Sequence, residues 1–538
     1  MPEYLKRQLI AYLGNKRALL PFLSELLGPI AVRNGARAPV FLDPFAGSGS
    51  VARLARSLGY EVHANDWETY AWVANRAYLS LTPAGAEALF VRDGGLAAVL
   101  AELNSLKVPR EEFIARHYAP RDTRRPDLAR ERLFYTRENA LFLDAVREAI
   151  EDRWPEGSQA KILLLALLAY EASVHSNTSG VFKAFHKGFG GHSGDALGRI
   201  LAPMELEYPA LWDSPEHAEV GCIDALEFVR GRSAEVCYLD PPYNQHQYGS
   251  NYHLLNTVVR GDRPEATRKS GIRADWLATR SLFCSKATAP GALEALLDAI
   301  DARTLVVSYN TEGVIPFEVL HQLLESRGRV TIRVHDYVTY RGGRQSPKRQ
   351  NNNLEFVLVV DTATSPVSGD RARVDRFLAE RRLGTLLKGR FHPGRLRQGF
   401  GGTGTTLTWG AQSLETRWLY QIGAVDTTGL SAGELAQGTQ ALAAAQFISP
   451  AEEADTLYVL LSKELSSADR TGLEHRLLLV LRKTAFAKYE PEMHRSLASL
   501  REHLAQHPSA RLEQGLAKLE ELLARRYPRP RSRLPGGS

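Results

Sequence analysis

Residues 39–59 read PVFLDPFAGSGSVARLARSLG, and residues 60–66, YEVHAND, follow at once. Val40 to Leu42 is a short apolar run of the kind that forms a buried strand. The glycine-rich turn after it leads into an amphipathic helix, SVARLARSLG, stopped by Gly59. YEVHAND then gives a second strand that ends at Asp66, and WETYAWVANRAYLS continues as a helix. Strand, glycine turn, helix and strand in that order is the unit of a parallel, helix-covered sheet. Further along, alternation resumes at Glu235 to Leu239, followed by the turn Asp240-Pro241-Pro242-Tyr243. TLVVSYN reads as a strand and VIPFEVLHQLLES as a helix, while VTIRVHDYVTY and LEFVLVV form a closing strand pair. The fold expected is a doubly wound, Rossmann-like α/β sheet with an antiparallel edge.

Between these segments, residues 82–221 lose the alternation and read as mostly helical, so they are taken as an insertion. The catalytic domain is then expected over 1–81 and 222–362, with a linker over 363–413, a helical C-terminal domain over 414–526 and a disordered basic tail over 527–538. Inside the linker, GRFHPGRLRQGFGGTGTT reads as a mobile surface segment. A chain of 538 residues exceeds one ordinary core, and 44% apolar with 24% charged residues is the composition of a soluble globular protein. The formal charge of +6 is compatible with a polyanionic partner but does not establish one. Cys222, Cys237 and Cys284 match neither a zinc site nor a disulfide framework, which points to a reducing compartment and no metal. The first residues, MPEYLKRQLIAYLGNK, hold no long apolar stretch, and ILLLALLAY at 162–170 is too short to cross a bilayer. A cytoplasmic protein with no membrane contact is expected.

Two segments carry chemistry. Gly47 and Gly49 let the backbone approach a ligand, Asp43 sits where a ligand's amino-acid end would meet it, and Asp66 is placed to accept from ribose hydroxyls. Gly47, Gly49 and Ala52 also form a loose G-x-G-x-x-A that fits a nicotinamide cofactor, or simply a structural turn. The Asp240 turn is more telling. An aryl amine is a weak nucleophile because its lone pair is delocalised into the ring. Asp240 and the Pro241 carbonyl can each accept one amine hydrogen, Pro242 helps stiffen the turn, and Tyr243 can stack on the base. Such a target must leave its helix, which implies base flipping.

With both segments in view, the chain resembles the S-adenosylmethionine-dependent DNA adenine-N6 methyltransferases whose donor motif precedes the catalytic one. The resemblance covers roughly the first two-thirds. YLGNKRALLPFL is similar to the family's amino-terminal cofactor segment, which implies donor roles for Tyr12, Gly14, Asn15 and Lys16. DPFAGSGSV implies the same for Asp43, Phe45, Gly47 and Gly49, Asp66 matches the ribose-binding acid, and Asp224 matches the acid that receives the donor's adenine amine. DPPYNQHQYGSNYHLL resembles the long form of the catalytic motif, with Asn244, Tyr248, Asn251 and Tyr252 at the pocket rim, or with Tyr252 and the leucines in ordinary helix packing. In this family target recognition lies between the two motifs. Arg121, Arg124, Arg125, His175, Lys183 and Lys187 are the DNA-contact candidates there, and Arg341, Arg344, Lys348 and Arg349 are those of a basic loop near the cleft. The implied partners are S-adenosylmethionine, double-stranded DNA, and a restriction endonuclease or second methyltransferase. RNA-base or cytosine-N4 methylation and an inactive DNA-binding relative are the competing readings; Asp at 240 rather than Ser favours adenine by resemblance. Asp455, Lys463 and Glu464 in the C-terminal region suggest a nuclease but lack a full metal-binding set.

Overall fold

Strand β1 (Val40–Asp43) lies third in a seven-stranded sheet, flanked by β2 (Glu61–Asn65) and β4 (Ser233–Leu239), both parallel to it. The computed structural model describes residues 1–32, 37–190, 194–267, 270–310, 313–334, 355–366, 370–427, 429–484 and 490–526. They fall into two units, Met1–Asp370 and Arg371–Ser538.

In the first unit, β3 (Ala218–Gly221) extends the sheet beyond β2. A two-stranded ribbon, β5 (Ala266–Thr267) and β6 (Ile272–Arg273), stands apart. On the far side of β4 the order continues through β7 (Asp301–Asn310), β9 (Glu355–Asp361) and β8 (Arg329–Val334). β9 runs antiparallel to both neighbours, which gives the reversed edge expected from the sequence. Strand order reverses direction between β1 and β4. A crevice at the carboxyl ends of the strands is therefore expected there, because the connecting helices leave on opposite faces.

The helix α1 (Leu20–Ala31) precedes β1, α2 (Ser50–Ser57) follows it, and α3 (Thr69–Ser80) follows β2. Within 82–221 the long helix Gln159–Val174 is buried over almost all its length, and it packs on α3. That explains its unbroken apolar run: it is an inner helix of the domain core. Strand β3 was not expected, since only Val220 of its four residues is buried and an edge strand needs no apolar alternation.

The second unit corrects the expected linker. Residues 370–387 form a helix, Pro393–Gly399 another, and the glycine-rich stretch continues into antiparallel strands Gly401–Thr403 and Thr406–Trp409. Phe391, Leu396, Phe400, Leu407 and Trp409 bury themselves in one cluster, so these side chains anchor the segment to the core while Gly401 to Thr405 stay exposed in a strand pair. Four helices between Pro450 and Arg526 pack around a separate cluster that includes Leu457, Leu477 and Leu500.

Candidate active site

The crevice at the strand ends opens into a cavity of about 380 Å³. Its walls include Tyr12, Gly14, Asn15, Lys16, Asp43, Phe45, Gly47, Asp66, Asp224, Asp240, Pro242 and Tyr243. Two sequence segments nearly two hundred positions apart thus meet in one chamber. Gly49 and Pro241 are not among the lining residues: Gly49 caps the first turn of α2, and Pro241 is buried.

The glycine turn is shaped by local sterics. Gly47 has φ +51°, and a Cβ there would lie 2.9 Å from the Tyr12 ring. A side chain is excluded on both counts. Its N–H donates to Asp66 Oδ2 at 2.9 Å, and the Glu68 N–H donates to Asp66 Oδ1 at 2.9 Å. Burial outweighs these bonds and the carboxyl of Asp66 is pushed up to about 7. Asp43 is 1% exposed, and burial, with Asp240 and Asp66 nearby, holds its carboxyl well above the ordinary carboxylate range. Asn65 bridges the tip of β2 to the next wall, donating to the carbonyls of Pro44 and Ile223 and accepting from the Ile223 N–H. This places Asp224, which caps a short helix by accepting the Leu226 N–H at 2.9 Å.

On the opposite wall the amino-terminal loop lies over the Asp240 turn. Lys16 Nζ is 3.1 Å from Asp240 Oδ1 and donates to the Gly14 carbonyl at 3.0 Å. A Cβ on Gly14 would come within 2.6 Å of the Tyr243 hydroxyl, so loop and catalytic turn are in contact. Tyr12 stacks on Tyr252 at 5.2 Å and on Tyr248 at 5.1 Å. The Leu13 N–H donates to the Tyr252 hydroxyl at 2.7 Å, and the Tyr248 hydroxyl donates to the Leu13 carbonyl at 3.2 Å. Tyr248 therefore faces the cavity, whereas Tyr252 is buried packing behind it.

Several lining residues escaped the sequence reading, among them Trp67, Glu68, Ile223 and Phe283. Trp67 and Ile223 are 36% and 42% exposed, an apolar pair beside the acids Asp66 and Asp224. Both follow or precede a recognised acid by one position, which is the signal that would have found them. Phe283, packed edge-on against Phe45 at 5.2 Å, lies in a short 3-10 helix, Leu282–Cys284, with no such signal.

A second, open groove of about 1420 Å³ is lined by seven Arg or Lys side chains against four carboxylates. It gathers Arg121, Arg125 and Lys187 and adds Arg116 and Arg130. Arg124 and Lys183 are exposed but do not line it. His175 is buried against Glu171 at 3.1 Å and belongs to the helix packing. Arg341, Arg344, Lys348 and Arg349 lie outside the described residues. A run of aromatic contacts leads from the groove toward the cavity: Phe185 to Phe134 at 5.0 Å, Phe134 to Phe182 at 6.2 Å, and Phe182 to Tyr252 at 6.4 Å.

An open sheet that gathers acids from three strand ends and the Asp240-Pro241-Pro242-Tyr243 turn around one chamber has the architecture of an α/β methyltransferase. Residues 12–314 match the family described as D12 class N6 adenine-specific DNA methyltransferase, and the chain belongs to that family. It is an adenine-specific DNA methyltransferase. Among its relatives, the type II methyltransferase M.NlaIII of Neisseria lactamica is 31% identical over 350 residues, covering 64% of this chain and 96% of the relative. The type II methyltransferase M.CviAII of Paramecium bursaria Chlorella virus 1 is 28% identical over 335 residues, covering 62% of this chain and 93% of the relative. Modification methylase LlaI of Lactococcus lactis subsp. lactis is 29% identical over 373 residues, and there the chain spans only 56% of the relative. Among the described residues no helix is long and apolar enough to cross a membrane.

Proposed function

We propose that the enzyme takes its methyl group from S-adenosylmethionine and delivers it to the N6 amine of an adenine flipped out of duplex DNA, as the modification half of a restriction-modification system. The observation that carries this reading is the single chamber shared by Gly47, Asp66, Asp240 and Tyr243. The residues present suit the donor. The chamber's volume falls in the range of about 300–1,000 Å³ common to small-molecule sites. Carboxylates at Asp66 and Asp224 suit ribose hydroxyls and an adenine amine, Trp67 and Ile223 offer an apolar cover, and Asp43 and Phe45 adjoin the amino-acid end with the Tyr12 to Asn15 loop. When bound, the donor supplies an electrophilic methyl.

The chain's own part is to make the amine nucleophilic and to hold it in line. Asp240 accepts one N6 hydrogen and the Pro241 carbonyl the other, which localises the lone pair on nitrogen as it becomes tetrahedral. Tyr243 stacks on the base, a contact of about 1–3 kcal/mol by analogy with single-strand binders. Arg121, Arg125 and Lys187 hold phosphates in the groove and set the register of the duplex. A cognate endonuclease is the expected genetic partner, as the relatives' names as type II and modification enzymes suggest. The test is Asp240→Ala with labelled donor and DNA. Transfer is expected to vanish while donor Kd stays within about twofold, because the interaction lost is made only with the target. An active variant would remove Asp240 from its role.

A further inference from the structure

We propose that Lys16 is a positioning residue for the catalytic acid Asp240 rather than a ligand of the methyl donor. This inference rests on Asp240 being the amine acceptor. The side chain of Lys16 is 2% exposed and that of Asp240 18% exposed, so the ammonium is the deeper member of the pair. A buried ammonium costs several kcal/mol unless it is paired and hydrogen-bonded. The contacts that offset that cost are on the catalytic side. Nζ reaches Asp240 Oδ1 at 3.1 Å, the Gly14 carbonyl at 3.0 Å, and the face of Tyr243 at 5.2 Å from the ring centre. The same amino-terminal loop is fastened to the helix after the catalytic turn through Leu13, Tyr248 and Tyr252. The loop therefore carries its lysine to the catalytic acid by a fixed route.

The charge arithmetic gives this contact a purpose. Asp43 stands close enough to feel the charges of both Asp240 and Asp66, and Tyr238 and Tyr248 feel both Asp240 and Lys16. A carboxylate among other carboxylates and buried phenols tends to take up a proton. A protonated Asp240 would have a donor where an amine hydrogen must be accepted. Lys16 supplies the opposite charge that keeps the acid ionised, and it fixes the direction of one oxygen. A carboxylate has about four lone-pair sites, so the ammonium and an amine hydrogen can be accommodated together. A cation here also has reason to stand away from the donor, whose sulfonium carries the same sign.

The experiment compares Lys16→Met, Lys16→Arg and Asp240→Ala with the wild-type full chain, measuring donor Kd by calorimetry and kcat against pH at saturating DNA and donor. Lys16→Met is expected to lose at least about tenfold in kcat near neutrality, with donor Kd within about twofold of wild type and the acid limb of kcat moved to higher pH. Unchanged donor binding also reports that the variant is folded. Lys16→Arg, which retains the charge, is expected to keep the wild-type limb. A Lys16→Met enzyme whose donor Kd rises tenfold while its acid limb stays put would assign the lysine to the donor and overturn the proposal. So would full activity in Lys16→Met, or a limb displaced equally in Lys16→Arg. An active Asp240→Ala would instead sink the acceptor role of Asp240, so the two failures are told apart.

Discussion

Donor affinity should fall steeply as pH drops below neutrality, and the cause is one carboxyl. In the free enzyme burial pushes Asp66 up to about 7, so the group is largely protonated at pH 5.5. Accepting from ribose hydroxyls requires the carboxylate, so binding must release that proton. For a group of pKa near 7, linkage makes the apparent Kd at pH 5.5 weaker than at pH 8.5 by up to about 30-fold. That is roughly 2 kcal/mol, less where solvent in the cleft screens the charge. Titration calorimetry at pH 5.5, 7 and 8.5, in buffers of different ionisation enthalpy, would report both the affinity and the proton released. Asp66→Asn keeps the shape but cannot titrate; its donor binding should be weaker at pH 8.5 and show a smaller change with pH. The sign for the free protein is opposite. The folded state binds more protons than the unfolded between about 4 and 7, so this group's contribution to stability is present at low pH and is lost as pH rises. A wild-type Kd that is level across the range, or a full slope in Asp66→Asn, would refute the reasoning.

Gly47→Ala should raise the donor KM tenfold or more, since a left-handed residue costs about 1–2 kcal/mol and the added carbon meets the Tyr12 ring; steady-state kinetics would show it. Tyr12→Ala should destabilise the first unit by about 2–3 kcal/mol through loss of its stacked partners, with a lowered Tm in calorimetry as the check. Replacing Arg121 and Arg125 together by Ala should reduce the slope of log K against log salt for duplex binding by about 2. Fluorescence anisotropy between low and moderate salt would measure it, and an unchanged slope would take the groove off the DNA.

The sheet was legible because its central strands announce themselves. Phe41 and Leu42 of β1 and Val236 to Leu239 of β4 are buried on both faces, so they read as unbroken apolar runs, and each strand ends in a turn whose residues have few other uses. The reversed edge was legible for the same reason. β3 was not, because an edge strand that buries one residue carries no pattern. The stretch 363–413 misled because its glycines and prolines are punctuation, and they hide Phe391, Leu396 and Trp409, whose burial depends on partners distant in sequence. At the site the acids and glycines were found by position. Trp67, Ile223 and Phe283 were not, since an exposed apolar residue looks the same whether it faces a ligand or water.

The tyrosine stack joining residue 12 to residues 248 and 252 has a consequence for biosynthesis. One wall of the chamber is synthesised some two hundred and forty residues before the other. Until the later helix emerges from the ribosome, the early loop has nothing to clasp, and its lysine has no acid. A chain that stops short of that helix therefore lacks one wall of the chamber. The chamber closes only once residue 12 has found residues 248 and 252.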